Sequence, residues 1–220
     1  RADAIVLSGG SVFGLAAGDG IATALSSQKV GLQFGPNAPT VPIVVGAILF
    51  DLVNGGNKDW KMSPPYHDLG IEALKDAQVE DDGKFELGNA GAGLGANAGN
   101  KKGGIGSTSL DLGDGLIVGA LVAVNSVGSV FMPDGETYWA QPFAIGDELG
   151  GQKANDKNQD AVQPIPDDSK FGGMMPGSNT TIGIIATSAK LTPAECKRIA
   201  MMAQDGYARA IRPVHTPYDG

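Results

Sequence analysis

The sequence predicts a layered α/β sandwich in which helices cover sheets that are at least partly antiparallel. Two observations predict this class. Apolar runs typical of strands are followed by helical patterns in both halves of the chain. The turn signals between the central runs, Gly-Asp-Gly at 113–115 and Asn-Ser-Val-Gly at 125–128, are typical of antiparallel neighbours. A doubly wound sheet, whose strands are mostly parallel, is disfavoured because the central strands have the turn signals of antiparallel neighbours.

The length allows one large domain or two small ones; we expect one domain over residues 1–220, and the composition is that of a folded protein. Hydrophobic residues make up 42% of the chain and charged residues 18%, which is typical of a globular protein. Glycine is the outlier: 34 of 220 residues, against roughly 7% on average. Because the glycines cluster between apolar segments, they indicate tight turns and close backbone packing rather than a flexible linker.

Charge and cysteine content exclude several classes of function. The net charge is −8 and the pI is near 4.6, so we predict neither a nucleic-acid partner nor a membrane partner, since both need clustered Lys and Arg. One cysteine, Cys196, excludes an internal disulfide and fits a reducing compartment, which predicts a cytoplasmic location. With two distant histidines and one cysteine, no metal site is expected.

The two ends of the sequence and its apolar runs give two further expectations. No apolar run reaches the roughly 18 residues of a membrane-spanning helix. The chain begins at Arg1 without a methionine and stops at Gly220 in sequence typical of structured regions. We therefore expect a chain truncated at both ends.

The first half of the chain predicts two strand–helix units. Apolar runs and helical spacing place a strand at Asp3–Leu7, a helix capped by Ser11 and running to about Ser26, a buried strand or helix start at Val41–Val53, and a short helix at Asp68–Gln78. The first helix is rich in Ala and Gly, which suits close packing on a sheet.

The second half predicts a group of strands followed by one long helix. A glycine-rich tract at Leu87–Gly106 leads into strand candidates at 106–112, 115–125, 128–134 and 181–187, with a polar loop at Gly150–Asp168. The helix begins with a capping box of Thr192 and Glu195, with Pro193 at its first position. Its predicted apolar face consists of Cys196, Ile199, Ala200, Ala203, Tyr207 and Ala210.

The stretch Ser-Asn-Thr-Thr-Ile-Gly at 178–183 lies where the long polar segment meets a strand. A chain that cuts itself needs a scissile bond in a strained or mobile turn, here Asn179–Thr180, and a hydroxyl directly after it. The freed amine of Thr180 can then act as the base for its own hydroxyl. Two other interpretations are a turn followed by a strand and an N-x-T glycosylation signature at Asn179. From the pattern alone the turn is favoured.

A second candidate site is the glycine loop Gly9–Gly14, which lies between a strand and a helix and could bind an anion. The dinucleotide pattern G-x-G-x-x-G fails because Ser11 replaces its middle glycine, and the nucleophile elbow fails because Phe13 replaces its last glycine. We favour close helix–sheet packing and keep a nucleotide- or anion-binding module as the alternative. The glycine tract lacks the Gly-Lys-Ser/Thr ending of a phosphate loop.

Five stretches occur together in an order that resembles a known family. They are DAIVLSGGSVFGLAAGDGI, VPIVVGAILFDL, GNAGAGLGANAG, NTTIGIIATSAKLT and MAQDGYARAIRPVHTPYDG, and they extend from Asp3 to Gly220. In this order the chain resembles the DmpA-type aminopeptidases, a family that includes β-aminopeptidases and nylon-oligomer hydrolases.

The resemblance implies a four-layer αββα sandwich similar to N-terminal-nucleophile hydrolases. It also implies self-cleavage between Asn179 and Thr180 into an α-chain of residues 1–179 and a β-chain of residues 180–220. Thr180 is then the nucleophile, Asn125 the oxyanion donor and Asp219 the residue that orients the amine of Thr180. No cofactor is implied, and relatives suggest a homo-oligomer of αβ units.

The expected substrates are short peptides, amino-acid amides or esters. Hydrolysis of 6-aminohexanoate oligomers or of β-peptides is the alternative within the family.

The chain departs from the family pattern at three positions. The family's glycine tract ends in Gly-Lys, but Asn100 stands at the lysine position, and we predict that Lys101 takes its role. The second acid of the family's D-G-D pattern would follow Gly220. Phe50 stands where nylon-type relatives carry a tyrosine. With part of the site missing, we expect the chain as given to be poorly active.

Overall fold

The computed structural model describes residues 1–78, 83–152, 165–171 and 178–219. The strands are β1 Ala4–Ser8, β2 Val44–Ile48, β3 Asn97–Ala98, β4 Lys101–Lys102, β5 Gly104–Asp111, β6 Ile117–Val124 and β7 Ile182–Thr187. The α-helices are α1 Ala16–Ser27, α2 Tyr66–Ala77 and α3 Pro193–Ala210, and 3-10 helices cover Ser11–Leu15, Gly91–Gly93 and Gln141–Phe143. The predicted mixed α/β class is confirmed.

The first half forms a parallel strand pair with a helix between its strands. β1 pairs with β2 from Ala4 opposite Val44 to Ser8 opposite Ile48, and α1 provides the crossover that parallel strands require. The two valines nearest to Gly18 of α1 are Val6 and Val44. Side chains alternate along a strand, so Leu7 and Ala47 face the other way, towards the core.

The second half forms an antiparallel sheet in the order β5-β6-β7. β6 is the central strand, paired with β5 on one side and with β7 on the other. Ala123 of β6 lies opposite both Ile105 and Ile182. The antiparallel pairing inferred from the turn at 113–115 is found between β5 and β6, whereas the turn at 125–128 does not join two paired strands.

The core lies between the parallel pair and the antiparallel sheet. Its buried side chains are Leu49, Ala92, Ala96, Ala123 and Ile182, with Leu7, Ala47 and Ile105 packed against them. Several of these residues are small, so the backbone of the glycine tract approaches the sheet closely. A Cβ at Gly103 would lie 2.1 Å from the carbonyl oxygen of Val124, so glycine is required there.

The helices α1 and α2 pack against each other through glycines. A Cβ at Gly20 would lie 2.1 Å from the carbonyl oxygen of His67, and one at Gly70 would lie 2.2 Å from that of Ala17. The long helix α3 approaches β7 at Tyr207, whose hydroxyl would meet a Cβ at Gly183 at 2.5 Å. The glycines therefore serve close packing, as the composition predicts.

Two predicted elements of the first half are shorter than expected. The chain does not enter α1 directly at Ser11: a 3-10 helix covers 11–15, and Ser11 provides no side-chain cap. Gly10 and Ser11 have positive φ values of 84° and 52°, which turn the chain too sharply for an α-helix to begin there. Within Val41–Val53, the strand is limited to β2.

Two predictions for the second half are wrong. The segment 128–134 is not a strand; Ser129 forms an isolated bridge with Arg212, and Phe131 forms one with Tyr138. On α3, Cys196 and Ala200 of the predicted apolar face are exposed, whereas the other four residues of that face are partly buried. Most of the predicted polar loop at Gly150–Asp168 lies outside the described residues.

The capping box of α3 is confirmed: Thr192 Oγ1 accepts from the backbone N–H of Glu195, and Glu195 Oε2 accepts from that of Thr192. In the described part of the chain, none of the helices has the length and apolar character needed to cross a membrane.

Replacing Gly70 with alanine tests the α1–α2 contact. Because the new Cβ meets backbone rather than a movable side chain, we expect Gly70→Ala to lower the free energy of unfolding by about 1–3 kcal/mol. The matched control is Gly206→Ala in α3, where a Cβ meets nothing within 4 Å. That change should raise stability by about 0.5–1 kcal/mol through helix propensity. Urea unfolding measures both, and equal effects of the two variants would contradict the packing assignment.

Candidate active site

The candidate cleavage junction, Asn179–Thr180, lies directly before β7. The backbone N–H of Thr180 donates to the carbonyl oxygen of Asn125 at 2.8 Å. This bond continues the β6–β7 pairing beyond Ala123 and Ile182. Since side chains alternate along paired strands, Thr180 and Asn125 share the side on which Ala123 and Ile182 enter the core. Two predicted site residues are therefore neighbours.

Asn179 is held in place rather than presented in a mobile turn. Its side chain is 1% exposed; Oδ1 accepts from Lys170 Nζ at 2.7 Å, and Nδ2 lies 3.4 Å from the carbonyl oxygen of Tyr218. Neither Asn179 nor Thr180 has a positive φ. Strain of the positive-φ kind is thus absent at these two residues, and residues 172–177 before them lie outside the described ranges. A buried, bonded amide also excludes the glycosylation interpretation for this fold.

Asn125 is fully buried, with 0% exposure, and its side chain joins two distant segments. Nδ2 donates to the carbonyl oxygen of Phe50 at 2.7 Å, and Oδ1 accepts from the backbone N–H of Asn97 at 2.9 Å. These bonds fix the orientation of the amide. Phe50 takes part through its backbone, so its side-chain identity does not affect this contact.

Asp219 closes the turn that follows α3 and ties it to the end of β6. Oδ1 accepts from the backbone N–H of Val127 at 3.0 Å, and Oδ2 accepts from the hydroxyl of Thr216 at 2.8 Å. Within the described ranges, no hydrogen bond joins Asp219 to Thr180. The carboxylate thus lies in the same region as the junction, with its own ties to the backbone.

Lys170 is the site residue that sequence reasoning missed. Its Nζ donates to Asn179, and its backbone N–H donates to the carbonyl oxygen of Val127 at 2.9 Å. Partial burial lowers the pKa of Lys170 to about 8, while the charge of Asp219 acts in the opposite direction. No motif marks this lysine; its one signal is its position between the polar segment and the junction.

The two lysines at the end of the glycine tract have different environments. Lys101 is exposed on β4, opposite Ala98. Lys102 Nζ instead donates to the carbonyl oxygens of Gly93, Leu94 and Ala96, at 3.2, 2.5 and 3.0 Å. Asn100 is hydrogen-bonded through its backbone: its N–H donates to the carbonyl oxygen of Asp168. Lys102 therefore braces the glycine tract.

Two backbone N–H groups of the glycine loop Gly9–Gly14 are already hydrogen-bonded within the protein. The N–H of Gly10 donates to Asp51 Oδ1 at 2.7 Å, and the N–H of Ser11 donates to the carbonyl oxygen of Leu49 at 2.9 Å. A carboxylate at this place repels an incoming phosphate. The geometry thus argues against the alternative of a nucleotide- or anion-binding module.

A cavity of about 310 Å³ lies next to the junction on the α3 side of β7. Its lining includes Ser126, Thr181, Gln204, Tyr207, His215 and Asp219. The hydroxyl of Thr181 is buried and has no hydrogen-bond partner in the described part of the chain. No group of three or more His, Cys, Asp or Glu residues among the described ones is arranged to hold a metal ion.

A family model, peptidase family S58, matches residues 1–220. The chain belongs to this peptidase family. The resemblance to DmpA-type aminopeptidases is thereby confirmed.

Curated relatives of this chain carry two kinds of name. The chain is 40% identical over 219 residues to an uncharacterized aminopeptidase of Mycobacterium bovis, covering 99% of this chain and 59% of the relative. A similarly named protein of Mycobacterium leprae is also 40% identical over 219 residues, with 99% and 58% covered. A 6-aminohexanoate-oligomer endohydrolase of Agromyces sp. is 29% identical over 223 residues, again with 99% and 58% covered. The chain thus spans less than two thirds of the length of these relatives.

Paired lysine variants test the brace on the glycine tract. Lys102→Met removes an ammonium that contacts three carbonyl oxygens, and we expect it to lower the free energy of unfolding by about 1 kcal/mol. Lys101→Met removes an exposed ammonium from the neighbouring position and should leave stability unchanged within about 0.5 kcal/mol. Chemical denaturation measures the free energy of unfolding of both variants. A larger decrease for Lys101→Met than for Lys102→Met would contradict the role given to Lys102.

Proposed function

We propose that this chain carries the self-processing centre of an N-terminal-nucleophile amidohydrolase of family S58. The observation that carries the proposal is the placement of Thr180. Its backbone is bonded to Asn125 at the start of β7, and the residue before it is buried and held by its side chain. An N→O acyl shift needs a hydroxyl directly after the scissile bond, and an ordered bond favours it by holding the carbonyl carbon in place for attack.

In the first reaction, Thr180 Oγ1 bonds to the carbonyl carbon of Asn179. The hydroxyl proton leaves, the C–N bond breaks, and the nitrogen takes up a proton to become the free α-amine of Thr180. An ester then joins Asn179 to Thr180. Water adds to this ester and releases the carboxylate of Asn179 and the hydroxyl of Thr180, so that one water molecule is consumed overall.

In the mature enzyme, the freed amine of Thr180 takes the proton of its own hydroxyl as this attacks a substrate carbonyl. Asn125 donates to the oxyanion; its amide is already oriented by Phe50 and Asn97. Asp219 orients the amine electrostatically. Lys101 contacts substrate from β4, which shares a hairpin with Asn97. Water hydrolyses the acyl-enzyme.

The pairing of β6 with β7 supports the proposal that both products stay associated. Cleavage before Thr180 leaves the ladder from Val118–Ala123 to Ile182–Thr187 intact. The contacts of α1 with β2, of the two sheets with each other and of α3 with β7 support an αββα order of layers. Exposed apolar side chains on the strands, including Ile5, Val45 and Ile117, support assembly into a homo-oligomer.

We propose short peptides, amino-acid amides or esters as substrates. The relatives named aminopeptidase are 40% identical to this chain, against 29–30% for relatives named 6-aminohexanoate-oligomer endohydrolase. The alternative, hydrolysis of such oligomers or of β-peptides, uses the same nucleophile and differs in the shape of the substrate pocket.

Replacing Thr180 tests the nucleophile directly. We expect the full-length wild type to yield two fragments under denaturing conditions, the smaller beginning with Thr180, because cleavage frees its amine. Thr180→Ala should remain one intact chain, since it lacks the attacking hydroxyl, and Thr180→Ser should still be cleaved. Intact-mass measurement with N-terminal sequencing checks all three, and the native mass of the same samples reports the number of copies.

The adjacent Thr181→Ala variant is the matched control for Thr180, and we expect it to be cleaved. An intact wild-type chain, or fragments from Thr180→Ala, would remove Thr180 from the mechanism.

Replacing Asn125 tests the oxyanion donor. In the cleaved full-length protein, Asn125→Ala should lower kcat on an amino-acid anilide by roughly 10²–10³-fold, with a smaller change in KM. Asn37→Ala, at an exposed loop position, is the control and should retain wild-type kcat. Because Asn125 also supports the fold, its variant must show a cooperative melting transition. A folded variant with wild-type kcat would sink the assignment.

A further inference from the structure

Lys170 stands out because a half-buried ammonium is bonded to the residue that provides the scissile carbonyl. Nζ lies 2.7 Å from Asn179 Oδ1. Charge-assisted hydrogen bonds of this kind are about twice as strong as neutral ones, and this one is partly withdrawn from water. The attack of Thr180 on the Asn179 carbonyl carbon, as described above, does not involve this hydrogen bond.

The surroundings of Lys170 hold it at this position. Its backbone N–H donates to the carbonyl oxygen of Val127, and the ring of the next residue, Phe171, contacts Tyr218 edge-on with centroids 5.9 Å apart. The carbonyl oxygen of Tyr218 accepts from Asn179 Nδ2. Lys170 and Asn179 are thus fixed against the same C-terminal segment, which leaves the ammonium little freedom to move away.

Two carboxylates are relevant to the charge of Lys170. Asp219, on the C-terminal segment, favours the protonated amine. Asp168, on the same loop as Lys170, accepts a hydrogen bond from the hydroxyl of Ser129 at 2.6 Å. The side chain that accepts a hydrogen bond from the ammonium is the neutral amide of Asn179.

We propose that Lys170 is the positioning residue for self-cleavage. It holds the side chain of Asn179, and through it the Asn179 carbonyl carbon, in place for attack by the hydroxyl of Thr180. This inference rests on the function proposed above. Intramolecular attack depends steeply on placement, because a displacement of about 1 Å can cost roughly 10²-fold in rate.

The same ammonium matches the charge that cleavage creates. When water hydrolyses the ester, Asn179 becomes a chain end with a negative carboxylate, and Thr180 keeps its free α-amine. Lys170 lies on the side of Asn179, and its positive charge stabilises the new carboxylate. The lysine thereby favours the cleaved state and retains the new chain end close to where it was formed.

The charge of Lys170 gives the inference a pH signature. With a pKa lowered to about 8, the amine is protonated below about pH 8 and neutral above it. The part of the cleavage rate that depends on its charge is therefore present at lower pH and lost as the pH rises through about 8. Arginine keeps its charge throughout this range.

The experiment follows cleavage of freshly translated full-length protein over time, by gel and mass spectrometry, from pH 6.5 to about 9.5. The variants are Lys170→Met, Lys170→Arg and Thr180→Ala, with Lys190→Met as the matched control at an exposed lysine. We expect Lys170→Met to slow cleavage roughly 10- to 100-fold at pH 7, and Lys170→Arg to restore most of the rate. The ratio of wild-type to Lys170→Met rates should fall above about pH 8, while the Lys170→Arg to Lys170→Met ratio should not.

The outcomes separate this inference from the proposed function. If wild type is cleaved, Thr180→Ala is not, and Lys170→Met is cleaved at the wild-type rate, Lys170 has no positioning role and the nucleophile stands. If Lys170→Met and Lys170→Arg are equally slow, and the wild-type to Lys170→Met ratio does not vary with pH, the lysine serves folding alone and the inference is overturned. An uncleaved wild type overturns both. Melting temperatures in the Thr180→Ala background identify variants that fail to fold.

Discussion

The arrangement of the site depends on the hydrogen bonds of one buried residue, Asn125. Its side chain joins the backbone of Phe50, just after β2, to that of Asn97 in β3, and its carbonyl oxygen accepts from Thr180 before β7. These partners lie 75, 28 and 55 residues away in sequence. Because an unpaired polar group in this dry position would be costly, the three segments meet in one geometry.

As a result, the two residues of the candidate junction, Asn179 and Thr180, have different surroundings. Thr180 follows the register of β7 and lies on the core side with Asn125, whereas Asn179 is bonded to Lys170 and to the segment that contains Tyr218. A peptide bond between two anchored residues has little freedom to rotate. In the proposed intramolecular attack, the cost of orientation would be met during folding rather than during the reaction.

Glycine makes the tight meeting of these segments possible. At Gly103 a Cβ would lie 2.1 Å from the carbonyl oxygen of Val124 in β6, and at Gly93 one would lie 2.7 Å from the backbone nitrogen of Ile105 in β5, so a side chain at either position would push these backbones apart. The same tract provides the carbonyl oxygens that bind Lys102. The unusual glycine content thus serves the contact between the layers, and the loop at Gly9–Gly14, closed by Asp51, serves the same purpose.

The sequence by itself determined the features that depend on neighbours along the chain. The strands β1, β5, β6 and β7, the helix α2, the capping box of α3 and the antiparallel centre all follow from local periodicity, caps and turns. The motifs also identified the family, and they predict Asn179–Thr180 as the cleavage junction. Only the tertiary structure decided that Asn179 is buried, that Asp51 closes the glycine loop, and that Lys170 rather than Lys101 is bonded at the junction. The reason is physical: these features arise from contacts between segments far apart in sequence, and no local pattern records which lysine a fold will bring to a buried amide.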